Sequence, residues 1–175
     1  SEWPVRDFAD IDVETSITSL KEGIPLPVIF AARPVREGGH FSGDEDQRIK
    51  VLEQGIASGA TWIDLELSID ADTRANLMEA AKEASCKIIA SIHDTDSTPS
   101  AEEIQNLLKT NAEMGDLVKF CGTVNDHQDA LQIVEATHAM ANEKVDFAAM
   151  ALGNGGDWAR LHAPVLNQTL VYASM

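Results

Sequence analysis

Short apolar runs recur along the chain at intervals of roughly 25 to 35 residues, each followed by a stretch with helical periodicity. That alternation is the mark of repeated βα units and leaves few architectures open. Strands are expected near 28–33, 62–67, 88–93, 117–121, 146–152 and 170–174. Helices are expected over 46–58, 73–84, 101–114, 127–141 and a short 158–165. The third helix is marked most clearly: Ser100 and Glu103 form a capping box after Pro99, Ile104, Leu107 and Leu108 make its apolar stripe, and Gly115 closes it. No linker or low-complexity stretch interrupts the series, so residues 1–175 read as one domain.

Strand parity separates a doubly wound sheet from a barrel. Arg33, Glu66, His93, Lys119 and Met150 fall at or near the carboxyl ends on one parity. Val28, Phe30, Ile63, Leu65, Ile88, Val118 and Phe120 lie on the other. Charged residues on one face of successive strands suit the catalytic mouth of a barrel, where inward positions near the carboxyl ends carry chemistry. A dinucleotide-binding reading lacks its glycine-rich first turn, since Gly153, Gly155 and Gly156 come late and precede no long helix. The expected fold is therefore an α/β (β/α)8 barrel. Such barrels usually take about 250 residues, so with 175 residues the barrel is expected to be incomplete, its first strand and last loop missing and its second strand represented by Glu2 to Val5.

The chemistry gathers around Asp116-Leu-Val-Lys119-Phe-Cys-Gly122. A lysine inside a short buried strand loses hydration, which disfavours the ammonium and favours a nucleophilic neutral amine, as in Schiff-base enzymes. The alternative is a lysine that snorkels from a strand end. His93 closes another apolar strand and is a candidate proton carrier. Arg33 is followed by Glu37, Gly38 and Gly39; the glycines would let backbone approach a ligand, and the carboxylate could orient an imidazole, although a plain βα turn with a surface ion pair would look the same. Arg160 opens a short helix after the glycine-rich turn and could hold a carboxylate bidentately. Asp94-Thr95-Asp96-Ser97 is a poor calcium loop, with Pro99 where the turn glycine belongs.

Twenty-nine acidic residues against thirteen basic give a net charge of −16, which repels nucleic acid and other polyanions. No run approaches the ~18 apolar residues of a membrane span. Cys86 and Cys121 have no metal-ligand spacing and suit buried thiols in a reducing compartment.

Taken together, Arg33-Pro-Val-Arg-Glu37-Gly-Gly39, Ile63-Asp-Leu-Glu66-Leu67, Ser91-Ile-His93-Asp94 with Thr98-Pro99, Val118-Lys119 and Gly156-Asp-Trp-Ala-Arg160 resemble, in order, the motifs of type I 3-dehydroquinate dehydratase. The resemblance covers Pro27 to Met175. It implies a shikimate-pathway lyase in which Lys119 forms a Schiff base with 3-dehydroquinate, His93 moves the proton and Glu37 orients His93. It further implies that Arg160 holds the substrate carboxylate, that Arg33, Glu2 and Met150 line the substrate site, and that no metal or diffusible cofactor takes part. A cytoplasmic homodimer is implied as well. The chain departs from the pattern where Pro4 occupies an arginine position after Glu2, where Leu152 replaces a second methionine, and where a closing loop would follow Met175. These departures keep open a weakened, ligand-sensing relative of the kind found in fungal quinate-pathway repressors. Another Schiff-base barrel enzyme of the aldolase kind would share the lysine but not the Arg33-to-Glu37 segment.

Overall fold

A computed structural model describes residues 12–153 and 155–172. The elements alternate as expected: α1 (Val13–Gly23), β1 (Ile29–Phe30), α2 (Glu45–Ala57), β2 (Trp62–Glu66), α3 (Ala71–Glu83), β3 (Lys87–Asp94), α4 (Ala101–Thr110), β4 (Leu117–Thr123), α5 (His127–Met140), β5 (Phe147–Leu152) and α6 (Asp157–Leu161). The five strands follow one another in chain order within the sheet. Most helices start on a short polar side chain that satisfies their first backbone donors. Asp44 and Gln47 make a reciprocal box at α2, Ser100 and Glu103 another at α4, and Asp12, Asp70 and Asp126 cap α1, α3 and α5.

The chain divides into two compact units, Ser1–Asp64 with Asp70–Ile88, and Leu65–Ile69 with Ile89–Met175. In the first, β1 runs parallel to β2 with Ile29 opposite Trp62 and Phe30 opposite Ile63. Its expected strand 28–33 is shorter than the apolar run because the chain turns at once: the Arg33 carbonyl accepts from Phe41 N and Pro34 opens a 3-10 turn, Val35–Glu37. Gly55 of α2 lies where a Cβ would meet the Phe30 ring at 2.4 Å, so this helix can pack there only without a side chain. Helix α1 was not expected. Its two buried residues, Val13 and Ile17, are too few to show a periodic stripe among Thr, Ser and Glu, and the Asp12 cap together with Lys21 Nζ donating to the Gly59 carbonyl holds it.

In the second unit β3, β4 and β5 are parallel, with Ser91, Lys119 and Ala148 in one row and His93, Cys121 and Met150 in the next. The alternate residues Val118, Phe120, Phe147, Ala149 and Ala151 pack with Ile104 and Leu108 of α4 and Ile133 and Met140 of α5 in one buried cluster. One face of these strands is thus closed by helices, as the parity required, and the polar residues are left on the other. Of the sixth expected strand, residues 170–172 are not in a strand, and 173–174 lie outside the described residues, as does the expected second strand at Glu2. Among the described residues no helix is long and apolar enough to cross a membrane.

Candidate active site

Lys119 sits in the middle of β4 and is only 2% exposed. Its neighbours across the ladder are small: Ser91 on β3 and Ala148 on β5, both fully buried. Small flanking residues leave room for a four-carbon side chain on a crowded face. The ring of Tyr172 lies over the amine, its centroid 4.8 Å from Nζ.

His93 lies two residues further along β3, opposite Cys121 rather than Lys119. Side chains two residues apart share a face, so His93 and Lys119 are diagonal neighbours on adjacent strands, with Cα atoms about 8 Å apart from strand spacing and rise. Met150, buried on β5, is in register with Cys121 and completes the row. Glu66 ends β2 as a fully buried carboxylate beside β3, where Leu67 N donates to the Ser91 carbonyl at 2.9 Å.

The mouth around His93 is stitched. Asp94 Oδ1 accepts from Asp96 N and Ser97 N, and Oδ2 from Ser97 Oγ, so this carboxylate is spent on its own loop rather than offered to a cation. The Thr98 hydroxyl donates to the Thr123 carbonyl, the Thr123 hydroxyl to the Asp94 carbonyl, and Asn125 Nδ2 to the Asp96 carbonyl. These bonds fix the ends of β3 and β4 together and with them the backbone that carries His93. Among the described residues no group of three or more His, Cys, Asp or Glu is arranged to hold a metal ion.

Arg160 differs from its sequence expectation in detail. Nε donates to the Tyr172 carbonyl at 3.0 Å, and Nη1 to the carbonyls of Ala151 and, at 3.4 Å, Gly156. A fork-on-fork grip on a carboxylate needs both donors of one edge. Here two of the three nitrogens hold backbone, because the turn brings Ala151 and Gly156 so close that a Cβ on Gly156 would stand 2.8 Å from the Ala151 oxygen.

The first unit holds Arg33 and Glu37. Arg33 Nη2 donates to Asp64 Oδ2 at 3.0 Å, and Asp64 is fully buried. Glu37, also buried, is placed by the turn in which Glu37 N and Gly39 N both donate to the Pro34 carbonyl. The two glycines shape this turn. Gly38 has φ +75°, and a Cβ on Gly39 would lie 2.1 Å from the Arg33 oxygen. Sequence reading passed over Arg48. It is fully buried on α2, where Nη1 donates to the Ala32 carbonyl at 3.3 Å and Nη2 to Glu45 Oε1 at 2.6 Å. The Arg48 guanidinium holds the Glu45 carboxyl below the usual carboxylate range, with Arg36 helping through Oε2. Glu2 lies outside the described residues.

A parallel α/β sheet that carries a buried lysine within one strand and a diagonal histidine near the carboxyl end of the next is the arrangement expected of a βα-barrel enzyme. A family profile described as type I 3-dehydroquinase matches residues 4–175, and the chain belongs to that family. It is 32% identical to the 3-dehydroquinate dehydratase of Methanothermobacter thermautotrophicus over 93% of this chain and 69% of the relative. With that of Haloquadratum walsbyi it shares 30% over 93% and 67%. The 3-dehydroquinate dehydratase structure from Enterococcus faecalis superposes with a TM-score of 0.84 at 26% identity, over 91% of this chain and 68% of that one. The type I enzyme from Clostridium difficile, solved with covalently modified comenic acid, gives 0.83 at 27% over 91% and 65%. The fold is that of the type I dehydroquinases, and the chain spans about two thirds of the length of these relatives.

Proposed function

We propose that this chain carries the reacting centre of a 3-dehydroquinate dehydratase, a hydro-lyase of the shikimate pathway. The observation that carries the reading is Lys119, buried to 2% between Ser91 and Ala148 with His93 on the same face of the next strand. Burial disfavours the charged amine and so promotes attack on a ketone. The amine adds to the substrate carbonyl and expels it as water, giving an iminium. His93 takes the proton from the adjacent carbon, and the iminium accepts the electron pair as a neutral enamine. The enamine then expels the β-hydroxyl, which leaves as water with the proton returned by His93. A water molecule hydrolyses the remaining imine and frees Lys119, for a net loss of one water.

Arg160 keeps Nη2 for the substrate carboxylate, and Met150 lies in the same row as His93 as an apolar wall. The roles of Glu37 as the group that orients His93, and of Arg33 and Glu2 as substrate contacts, rest on family membership. So do a homodimer and a cytoplasmic setting, with which two buried cysteines not joined in a disulfide agree. The covalent ligand in the Clostridium difficile relative supports a covalent mechanism for this chain as well.

Borohydride added with 3-dehydroquinate should leave a reduced adduct on the Lys119 peptide by mass spectrometry, absent in Lys119→Met. His93→Asn should still be trapped while losing about 10²- to 10⁴-fold in turnover, the usual worth of a general acid-base. No adduct in the parent chain would refute the Schiff-base reading, and turnover surviving in Lys119→Met would refute the assignment of the amine.

A further inference from the structure

Tyr172 is not part of a strand or helix, yet its ring sits over the most buried amine in the second unit. Arg160 is one of the groups that hold it. One guanidinium joins the carboxyl end of β5 through Ala151, the residue before α6 through Gly156, and the segment carrying the ring through the Tyr172 carbonyl. We propose that Tyr172 is a positioning residue for Lys119: its ring face holds the amine in place and favours its ammonium form in the resting protein, and Arg160 sets the ring.

Two pressures act on this nitrogen in opposite directions. Desolvation at 2% exposure favours the neutral amine, whereas the negative face of an aromatic ring favours the cation. Other ionisable groups on or next to the same face include Glu66 at the end of β2, which as a carboxylate favours the cation, His93 on β3 and Arg160 on α6, which oppose it when charged, and Cys121 on β4 itself. On β5 the same face offers Ala148 and Met150, neither of which titrates. The ring is therefore a weight in that balance which comes from outside the sheet. Its effect is to localise the amine and to offset part of the desolvation that favours the neutral form, until a carbonyl compound displaces the ring from the nitrogen.

The inference rests on the proposed function only in taking Lys119 as the reacting amine, and its test uses no dehydroquinate. Formaldehyde with cyanoborohydride methylates an amine by condensing to an iminium with loss of water, which the hydride then reduces; only the unprotonated amine reacts. Labelling of Lys119 is followed by peptide mass spectrometry between about pH 6 and pH 10, with exposed Lys82 and Lys144 as references in the same digest. Each variant is normalised to its own alkaline plateau, which removes any change in access. In Tyr172→Leu the acidic limb should rise about three- to tenfold, the worth of a partly desolvated cation-π contact. Tyr172→Phe, which keeps the ring, should stay within about twofold of the parent. Arg160→Lys, which keeps the positive charge but loses the Nε bond to the Tyr172 carbonyl, should follow Tyr172→Leu. An unchanged or lowered acidic limb in Tyr172→Leu, or a Phe variant that behaves like Leu, overturns the proposal; an Arg160→Lys variant like the parent overturns the part given to Arg160. A normal shift without a dehydroquinate adduct would count against the proposed function alone, and an adduct without the shift against the role of the ring alone.

Discussion

Arg36 and Arg48 share the Glu45 carboxylate and differ in almost everything else. Arg36 is half exposed, while Arg48 is buried and also holds the Ala32 carbonyl. An exposed pair contributes little, because water and salt screen it and two long side chains must be held still. Losing the buried member strips a backbone acceptor of its partner and leaves a cavity in α2's inner face. Arg48→Ala should therefore cost about 2–4 kcal/mol in urea unfolding, and Arg36→Ala less than about 0.5. Nothing in the sequence distinguished the two, since burial of a cation is decided by what packs around it. Lys119 was legible for the opposite reason: the alternation Val118, Lys119, Phe120 puts the amine on the face the apolar residues leave, whatever the tertiary context. Glu66 follows the same parity and was legible at its strand end for the same reason. Tyr172 carried no such mark, because its position over Nζ depends on Arg160 and on a segment without periodicity.

At the level of elements, α4 shows how a local pattern fixes structure. Ser100 Oγ accepts from Glu103 N, and the Glu103 carboxylate accepts from Ser100 N and Oγ, both ends of the helix start being satisfied without tertiary help. Those bonds from Ser100 hold the Glu103 carboxyl below its usual 4.5. The folded value lies under the unfolded one, so the stabilisation is complete above about pH 4.5 and is lost as pH falls through the folded value. Ser100→Ala should lower stability by about 1 kcal/mol at neutral pH, and the gap between parent and Glu103→Gln should narrow as unfolding is repeated at progressively lower pH below that value. The same locality made four of the five observed strands easy to place, while β1, cut to two residues by the turn at Arg33 to Phe41, and α1, with only Val13 and Ile17 buried, obey contacts that the sequence does not display.

For the molecule as a whole, charge is the property least tied to the fold. A net −16 is spread over the helix faces, so folding gathers like charges that the unfolded chain keeps apart. Added salt screens that repulsion, and the Debye length falls from about 10 Å at 0.1 M to about 3 Å at 1 M. The urea midpoint should thus rise when sodium chloride is raised from about 0.1 M to about 1 M; a midpoint that falls would show that attractive pairs such as Lys109 with Glu143 outweigh the excess. Against this diffuse acidity the ends of β3 and β4 are tied by side chains that carry no charge in the bonds themselves, through Thr98, Thr123 and Asn125. Salt will not loosen them. Anyone reshaping this protein to accept bulkier ketones would do better to enlarge its walls at Met150 or Cys121 than to diversify that rim, where each altered residue would cut a stitch shared with the neighbouring loop.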